Sequence, residues 1–180
     1  MLLYSIMDTS GTMEISASLK THPLYDKWVL WAHLPHDTDW TLKSYKKIMA
    51  VKSIEEMVSL YSVIPEKLVK NCMLFIMRKG INPMWEDKQN RAGGCFSFKV
   101  GNKQVSQVWQ NLSYTLVGET LTNDTRLLKL INGVTISPKK SFCIIKIWLK
   151  NCDMQNPGQL ATIPGLSIHG CLFKRHKPEF

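Results

Sequence analysis

The 180-residue chain is predicted to form one α+β domain built on a mainly antiparallel sheet. Three observations support this class: short runs of β-forming residues recur along the chain, turn signals separate them, and only two segments have convincing helical periodicity. The length suits a single hydrophobic core. We assign residues 21–180 to that domain and predict that residues 1–20, which show no periodicity, form a flexible arm.

The first predicted elements are a strand and a helix. Aromatic and β-branched residues are concentrated in Lys27–Leu34, which is typical of a strand. Ser53 and Glu56 make a capping box, and apolar residues at helical spacing follow it. This pattern predicts a helix over Ser53–Ile64.

The middle of the chain is predicted to form two strands and the second helix. Cys72–Met77 is a short apolar run suited to a buried strand, and Cys95–Val100 ends at a Gly-Asn turn signal. In Gln104–Val117 the apolar residues share one helical face, and Gly118 is placed to end the helix.

Three further strands are predicted near the C-terminus. Leu127–Ile136 and Phe142–Leu149 are rich in β-forming residues and are separated by a short polar segment that contains Pro138. A last strand is predicted over Leu166–Phe173, and a basic tail follows it.

The charge and aromatic content indicate an anionic partner. The formal net charge is +9, and the chain contains six tryptophans. A basic surface attracts polyanions, and aromatic platforms beside basic charge are typical of proteins that bind unpaired bases. No apolar run is long enough to span a membrane, so no membrane partner is predicted. The five scattered cysteines form no C-x-x-C pair, which favours reduced thiols in the cytoplasm over a disulfide framework or a zinc site.

The most specific segment is the glycine-bounded stretch from Gly80 to Gly94. Pro83 and the Gly93-Gly94 pair favour a structured loop over a long strand or helix. Trp85 lies in this loop beside Glu86 and Asp87. Two interpretations are equally open from these residues alone: the indole is exposed for binding, or it plugs the underside of the sheet while the acids face water.

The order of these motifs resembles the eukaryotic cap-binding initiation factor 4E family. The resemblance extends from His22 to Trp148, about two thirds of the chain. Its most specific part is the pattern G-I-x-P-M-W-E-D-x-x-N-x-x-G-G at residues 80–94. The other matching residues are His22-Pro23-Leu24, Trp28, Trp31, Trp40, Trp109, Val117-Gly118-Glu119 and Ile147-Trp148.

The resemblance implies a fold like a cupped hand, with a curved sheet and helices on its convex face. It also implies that Trp40 and Trp85 stack on the 7-methylguanosine cap of messenger RNA, that Glu86 reads the guanine edge, and that Trp148 touches the methyl group. The implied role is non-enzymatic cap binding in translation initiation, without a cofactor or metal. The implied partners are capped messenger RNA and a scaffold or regulatory protein on the convex face.

Elementary chemistry agrees with these roles. N7-methylation places a positive charge on the purine, so each indole plate gains a cation–π component and contributes about 1–3 kcal/mol. The Glu86 carboxylate can accept hydrogen bonds from the guanine N1–H and amino group, and adenine offers no such pair.

The cations that would hold the cap phosphates depart from the family pattern. The family's lysine position falls on Ile144 in this chain. We predict that Lys139, Lys140 and Lys146 take over this role, with Arg91 as a further candidate. Lys146 is favoured because a lysine in an apolar strand needs an anionic partner, whereas Lys139 and Lys140 are equally consistent with a solvated turn.

The convex face departs as well, because Val58 occupies the position of the family's docking tryptophan and Asn111 lies where its animal members carry an acid. Binding of a standard scaffold peptide to this face is therefore in doubt, and binding of a divergent partner is favoured. The residues predicted to line this face are His22, Pro23, Ile54, Val58, Asn111, Tyr114 and Gly118.

Other functions stay open at this point. The chain could be a cap-binding repressor or decoy that does not recruit the scaffold, or a general single-stranded RNA binder. A cap-processing enzyme is disfavoured, because no catalytic set is evident. His33 and His36 resemble half of a metal site, but no second pair supports one, and exposed loop histidines are the favoured interpretation.

Overall fold

A seven-stranded antiparallel sheet organises the protein. The computed structural model describes residues 21–176, and its strands are ordered β2-β1-β3-β5-β6-β4-β7. The strand bounds are β1 Pro23–His33, β2 Tyr45–Ser53, β3 Met73–Arg78, β4 Gly94–Gly101, β5 Ile131–Pro138, β6 Phe142–Leu149 and β7 Leu172–Arg175.

Four α-helices pack on the convex face of the curved sheet. Two single turns of 3-10 helix, Leu42–Ser44 and Pro157–Gln159, lie in loops. The helices are α1 Ile54–Val63, α2 Glu66–Asn71, α3 Val105–Val117 and α4 Thr125–Leu130. This arrangement confirms the predicted α+β class and the helices on one face.

Strand alternation divides the apolar residues between the two faces of the sheet. In β1, Trp28 and Leu30 join the large core under the helices, whereas Trp31 packs against a smaller cluster on the concave face. Trp28 and Trp109 are fully buried in the large core. The concave cluster is built on Tyr45, Phe75, Met77 and Trp148.

The two predicted helices are confirmed. The Ser53 hydroxyl accepts a hydrogen bond from the Glu56 N–H (3.2 Å) and caps α1, while the Glu56 carboxylate accepts from the Lys52 N–H. α3 ends at Val117, directly before Gly118. The strands predicted over Lys27–Leu34, Cys72–Met77, Cys95–Val100 and Phe142–Leu149 are all present with small shifts at their ends.

The prediction of a strand over Leu127–Ile136 is wrong in its first part. Thr125–Leu130 is helical, and β5 begins at Ile131. The reason is the Asp124 side chain, which accepts a hydrogen bond from the Arg126 N–H (2.8 Å) and so caps a short helix.

The prediction of a strand over Leu166–Phe173 is wrong in its first six residues, because β7 begins at Leu172. Gly165 and Gly170 adopt positive φ angles of 82° and 78°, which interrupt an extended run. Two elements were not predicted at all: β2, an edge strand whose lysines mask its alternation, and the short helix α2.

Two predictions from the sequence concern the whole chain rather than a single element. The flexible arm over residues 1–20 lies outside the described residues. Within residues 21–176, no helix is long and apolar enough to cross a membrane.

Gly93 provides a test of how closely β4 and β6 approach. A Cβ at Gly93 would lie 1.7 Å from the Leu149 carbonyl oxygen, whereas a Cβ at Gly101, at the other end of β4, meets nothing within 4 Å. We expect Gly93→Ala to lower the free energy of unfolding by about 2 kcal/mol or more. The matched variant Gly101→Ala should change it by less than about 0.5 kcal/mol. Urea unfolding of both variants measures the difference, and equal effects would contradict this packing.

Candidate functional site

Two loops lie on the concave face of the sheet. The β1–β2 loop carries Trp40, and residues 79–93, which we name the Trp85 loop, carry Trp85 and Glu86. Met84 of the Trp85 loop packs against the concave cluster that contains Tyr45. Burial raises the pKa of Tyr45, and the nearby Glu86 carboxylate raises it further. Glu86 therefore lies near Tyr45, the first residue of β2, which directly follows the loop that carries Trp40.

Trp40 is an exposed indole with a fixed orientation. Its side chain is 54% exposed, yet its ring stacks on the His33 ring with a centroid distance of 4.2 Å and an interplanar angle of 5°. His33 is itself held by a hydrogen bond between Nε2 and the Asp39 carbonyl (2.8 Å) and by an edge contact with Tyr45 (5.1 Å). The sheet thus supports one face of the Trp40 plate.

His33 corrects one expectation from the sequence. It was predicted to be an exposed loop residue, but it is the last residue of β1 and only 2% exposed. Strand alternation turns its ring onto the concave face, where Trp40 covers it. Among residues 21–176, no group of three or more His, Cys, Asp or Glu side chains is arranged to hold a metal ion.

The Trp85 loop is stabilised by its own polar side chains. Asn90 is fully buried, and its amide donates to the carbonyls of Asn82 (3.0 Å) and Met84 (2.9 Å). The Asp87 carboxylate accepts from the N–H groups of Asn82 (3.1 Å) and Gln89 (2.9 Å). These bonds satisfy the loop from within, so the loop does not need Trp85 or Glu86 for its own structure.

Two residues from outside tie the Trp85 loop to the sheet. Asn132 of β5 donates to the Gln89 carbonyl (2.8 Å) and to the Asn90 side-chain oxygen (2.9 Å). The His176 Nδ1–H donates to the Asn90 carbonyl (2.8 Å). Asn90 appeared in the sequence analysis only as part of the family pattern, and Asn132 and His176 were missed, because only the three-dimensional contacts reveal the roles of these residues.

Three of the predicted base-binding residues are exposed and the fourth is buried. Trp85 is 42% exposed and Glu86 is exposed, which excludes the interpretation that Trp85 plugs the underside of the sheet. Trp148 is only 7% exposed and lies in the floor of the concave cluster, with its ring 4.5 Å from that of His176. Trp148 therefore presents an edge or a small part of one face to this side of the sheet.

The predicted phosphate-binding residues fall into two groups. Lys139 and Lys146 line one groove of about 470 Å³ on the sheet, next to the concave cluster. Lys140, in the β5–β6 turn, and Arg91, in the Trp85 loop, are exposed but are not among the residues that line this groove. The structure thus brings two of the four candidate cations together.

Most of the residues predicted for the convex face lie around a second groove. This convex groove has a volume of about 290 Å³ and is lined by Leu24, Ile54, Met57, Val58, Tyr114, Val117 and Gly118. His22 and Asn111 are engaged elsewhere: His22 Nδ1 lies 2.6 Å from the Glu55 carboxylate, and Asn111 accepts a hydrogen bond from Gln107. Pro23 begins β1 and pairs with Ser53 beside the groove.

Comparison with known proteins identifies a family. The sequence profile described as eukaryotic initiation factor 4E matches residues 23–171. Initiation factor 4E-2 of Schizosaccharomyces pombe is 32% identical over 148 residues, which cover 77% of this chain and 58% of that protein. The chain thus spans less than two thirds of the length of this relative.

Solved structures share the fold. The complex of C. elegans eIF4E-3 with the 4E-binding protein Mextli superposes with a TM-score of 0.67 at 22% identity, over 77% of this chain and 80% of the other. Ascaris suum eIF4E-3 with the m7G cap superposes with a TM-score of 0.66 at 23% identity, over 77% and 78% of the two chains. At these identities the likeness concerns the fold.

His176 predicts a pH dependence of stability. Burial lowers the pKa of His176 below its ordinary value of 6.5, and Lys146 lowers it further, against the opposing effect of the Asn90 hydrogen bond. The folded protein therefore favours the neutral ring. Its contribution to stability is complete above pH 6.5 and is lost as the pH falls through 6.5 toward the lower folded pKa.

We expect His176→Gln, whose amide can still donate to Asn90, to reduce the loss of stability on acidification. Denaturant unfolding at a series of pH values measures this loss. The exposed His169 supplies the control variant His169→Gln. If His169→Gln reduces the loss as much as His176→Gln does, the burial of His176 is not the cause.

Proposed function

Because this chain belongs to the eukaryotic initiation factor 4E family, we propose that it binds the 7-methylguanosine cap of messenger RNA as a non-enzymatic factor of translation initiation in the cytoplasm. The observation that carries the proposal is the pair of exposed indoles, Trp40 and Trp85, beside the Glu86 carboxylate, on loops fixed to one sheet face. Exposing such large apolar rings is unfavourable unless a ligand covers them.

The Trp40 indole is held in place for stacking on a charged purine. His33 supports one face of Trp40 at a distance of 4.2 Å, so little side-chain entropy is lost when a base stacks on the indole. The methylated guanine carries a positive charge, which favours the electron-rich faces of the two indoles. Each plate contributes about 1–3 kcal/mol. We further propose that Trp148, in the floor, contacts the methyl group.

Glu86 supplies the base specificity. Its carboxylate is exposed, while the neighbouring Asp87 is engaged in hydrogen bonds of the loop backbone. A carboxylate accepts paired hydrogen bonds from the guanine N1–H and amino group, and charge assistance makes these bonds stronger than neutral ones. Lys146, two residues before Trp148 on β6, holds the cap phosphates, and Lys139 at the hairpin end of the same groove, Lys140 and Arg91 are the further phosphate-binding candidates.

Related solved structures agree with this proposal. Ascaris suum eIF4E-3 was solved with the m7G cap, and schistosome eIF4E with both m7GpppG and a 4E-binding protein. Both proteins share the fold of this chain. They support the proposal that this fold binds a cap and a protein partner.

We propose that the convex groove binds a scaffold or regulatory protein that differs from the usual partner. The groove is apolar, and Val58 in its wall is 51% exposed. A valine offers a much smaller contact surface than the tryptophan of the family pattern, and aromatic anchors concentrate interface energy. If no scaffold binds there, the chain would instead sequester capped messages as a repressor.

Cap binding is tested by tryptophan fluorescence during titration with 7-methyl-GTP, with GTP as the unmethylated control. We expect 7-methyl-GTP to quench the fluorescence at much lower concentration than GTP. Trp85→Leu should weaken binding roughly tenfold to a hundredfold, because it removes one stacking plate. Glu86→Gln should reduce the preference for guanine over adenine.

The matched control for Glu86→Gln is Glu66→Gln, because Glu66 belongs to α2 on the opposite face of the sheet. Glu66→Gln should leave binding unchanged. Equal quenching by 7-methyl-GTP and GTP in the wild-type protein would contradict the proposed function.

The convex groove is tested with a peptide that carries the motif Tyr-x-x-x-x-Leu-apolar. We expect weak binding to the wild-type chain. Val58→Trp should raise the affinity about tenfold or more, because it restores an aromatic anchor next to Ile54 and Tyr114. Isothermal titration calorimetry measures both affinities. If the wild-type chain binds the peptide tightly and Val58→Trp does not raise the affinity, the proposal of a divergent partner is contradicted.

A further inference from the structure

The pairing register assembles a row of lysines that the linear sequence does not show. On β6, Trp148 lies opposite Cys95 of β4, and Cys95 lies opposite Lys174 of β7. Two residues before Trp148 is Lys146, and two residues further Ile144 lies opposite Lys99. Directly paired residues project from the same face of a sheet, so these lysines share the face of Trp148.

The lysine row extends well away from the proposed base site. Strands rise about 3.4 Å per residue, so the four residues from Trp148 to Ile144 span roughly 14 Å. Lys99 lies at the far end of this span, and Lys139 follows at the β5–β6 hairpin. Successive phosphates along a single strand are farther apart than the ~3.4 Å axial rise of a duplex. The row still extends past the space that one phosphate needs.

The groove that contains these lysines is suited to an anionic chain. It has a volume of about 470 Å³, and its lining includes Lys99, Lys139, Lys146 and Lys174 but no Asp or Glu. Within residues 21–176, no ion pair joins any of these four lysines to a carboxylate. Four ammonium groups in one groove repel each other, so a bound polyanion would relieve an unfavourable charge arrangement.

Lys99 is held at the distal end by an aromatic ring. Its ammonium nitrogen lies 4.5 Å from the centroid of the Phe142 ring, a cation–π contact that fixes its position. Phe142 also lines the groove, and Ser97 and Ser137 add hydroxyl groups. A basic groove with an aromatic side chain is typical of sites that bind single strands without reading their sequence.

We propose that the distal part of this groove, with Lys99 as its central cation, binds the phosphodiester backbone of the nucleotides that follow the cap. The inference rests on the proposed function, because the cap places the start of the transcript at the near end of the groove. Lys146 holds the cap phosphates, and Lys99, with Lys139 beyond it at the hairpin, extends the contact to the body of the RNA. The protein would then bind a capped transcript more tightly than the cap nucleotide alone.

The test compares three probes over a series of salt concentrations: 7-methyl-GTP, a short capped oligoribonucleotide, and the same oligoribonucleotide without a cap. We expect the wild-type protein to bind the capped oligoribonucleotide several-fold more tightly than 7-methyl-GTP, with a steeper salt dependence. Each lysine–phosphate contact in a single strand contributes about 0.7 to the slope of log K against log salt.

Lys99→Ala should lower that slope by about 0.7 for the capped oligoribonucleotide and leave the affinity for 7-methyl-GTP unchanged. Lys99→Arg should keep the wild-type slope, because the charge remains. The control Lys67→Ala, on α2 at the convex face, should affect none of the probes.

Two results would overturn the proposal. If Lys99→Ala weakens 7-methyl-GTP as much as the capped oligoribonucleotide, the lysine serves only the cap phosphates. If it changes neither, the distal groove does not bind RNA. The proposed function has a separate test, because it fails if the wild-type protein does not prefer 7-methyl-GTP over GTP. In that case, a smaller slope of log K against log salt for Lys99→Ala with the uncapped oligoribonucleotide would still support RNA binding by the groove.

Discussion

The buried contact between the side chains of Asn90 and Asn132 is the constraint on which the concave site depends. The Asn132 amide donates to Asn90 (2.9 Å), and the Asn90 amide in turn holds two carbonyls of the Trp85 loop. Both residues are almost fully buried, so leaving either partner unsatisfied would cost about 1–3 kcal/mol. Because this network satisfies the inside of the loop, Trp85 and Glu86 are available to a ligand. The same network connects this exposed tryptophan loop to the sheet through hydrogen bonds of buried side chains.

The sheet separates two binding surfaces that share one core. Its convex side is covered by helices, and the groove between α1 and α3 is apolar. Its concave side carries aromatic rings at one end and lysines at the other, in the order that a methylated base followed by phosphates requires. Strand alternation alone produces this division, since neighbouring residues such as Leu30 and Trp31 point to opposite sides. A substitution on one surface can therefore leave the other surface unchanged.

Local patterns in the sequence were sufficient for much of the fold. The capping box at Ser53 and the apolar spacing of α3 identified both long helices, because caps and periodicity act over a few residues. The short helix α4 and the edge strand β2 were missed or misassigned, because one depends on a single Asp124 cap and the other carries several lysines. Trp40, Trp85 and Glu86 were predicted to be base-binding residues from motif order. His33, Asn132 and Lys99 could not be, since their roles follow from stacking and strand register, which connect residues far apart in the chain.

The most direct test of the concave site observes each tryptophan separately. Isotope-labelled indole N–H signals, assigned by substitution and followed by NMR during addition of 7-methyl-GTP, report on each ring. We expect large shifts for Trp40 and Trp85 and none for Trp28 and Trp109, which are buried under the helices on the other face. Shifts confined to the buried pair, or equal shifts of Trp40 and Trp85 with unmethylated GTP, would contradict this expectation.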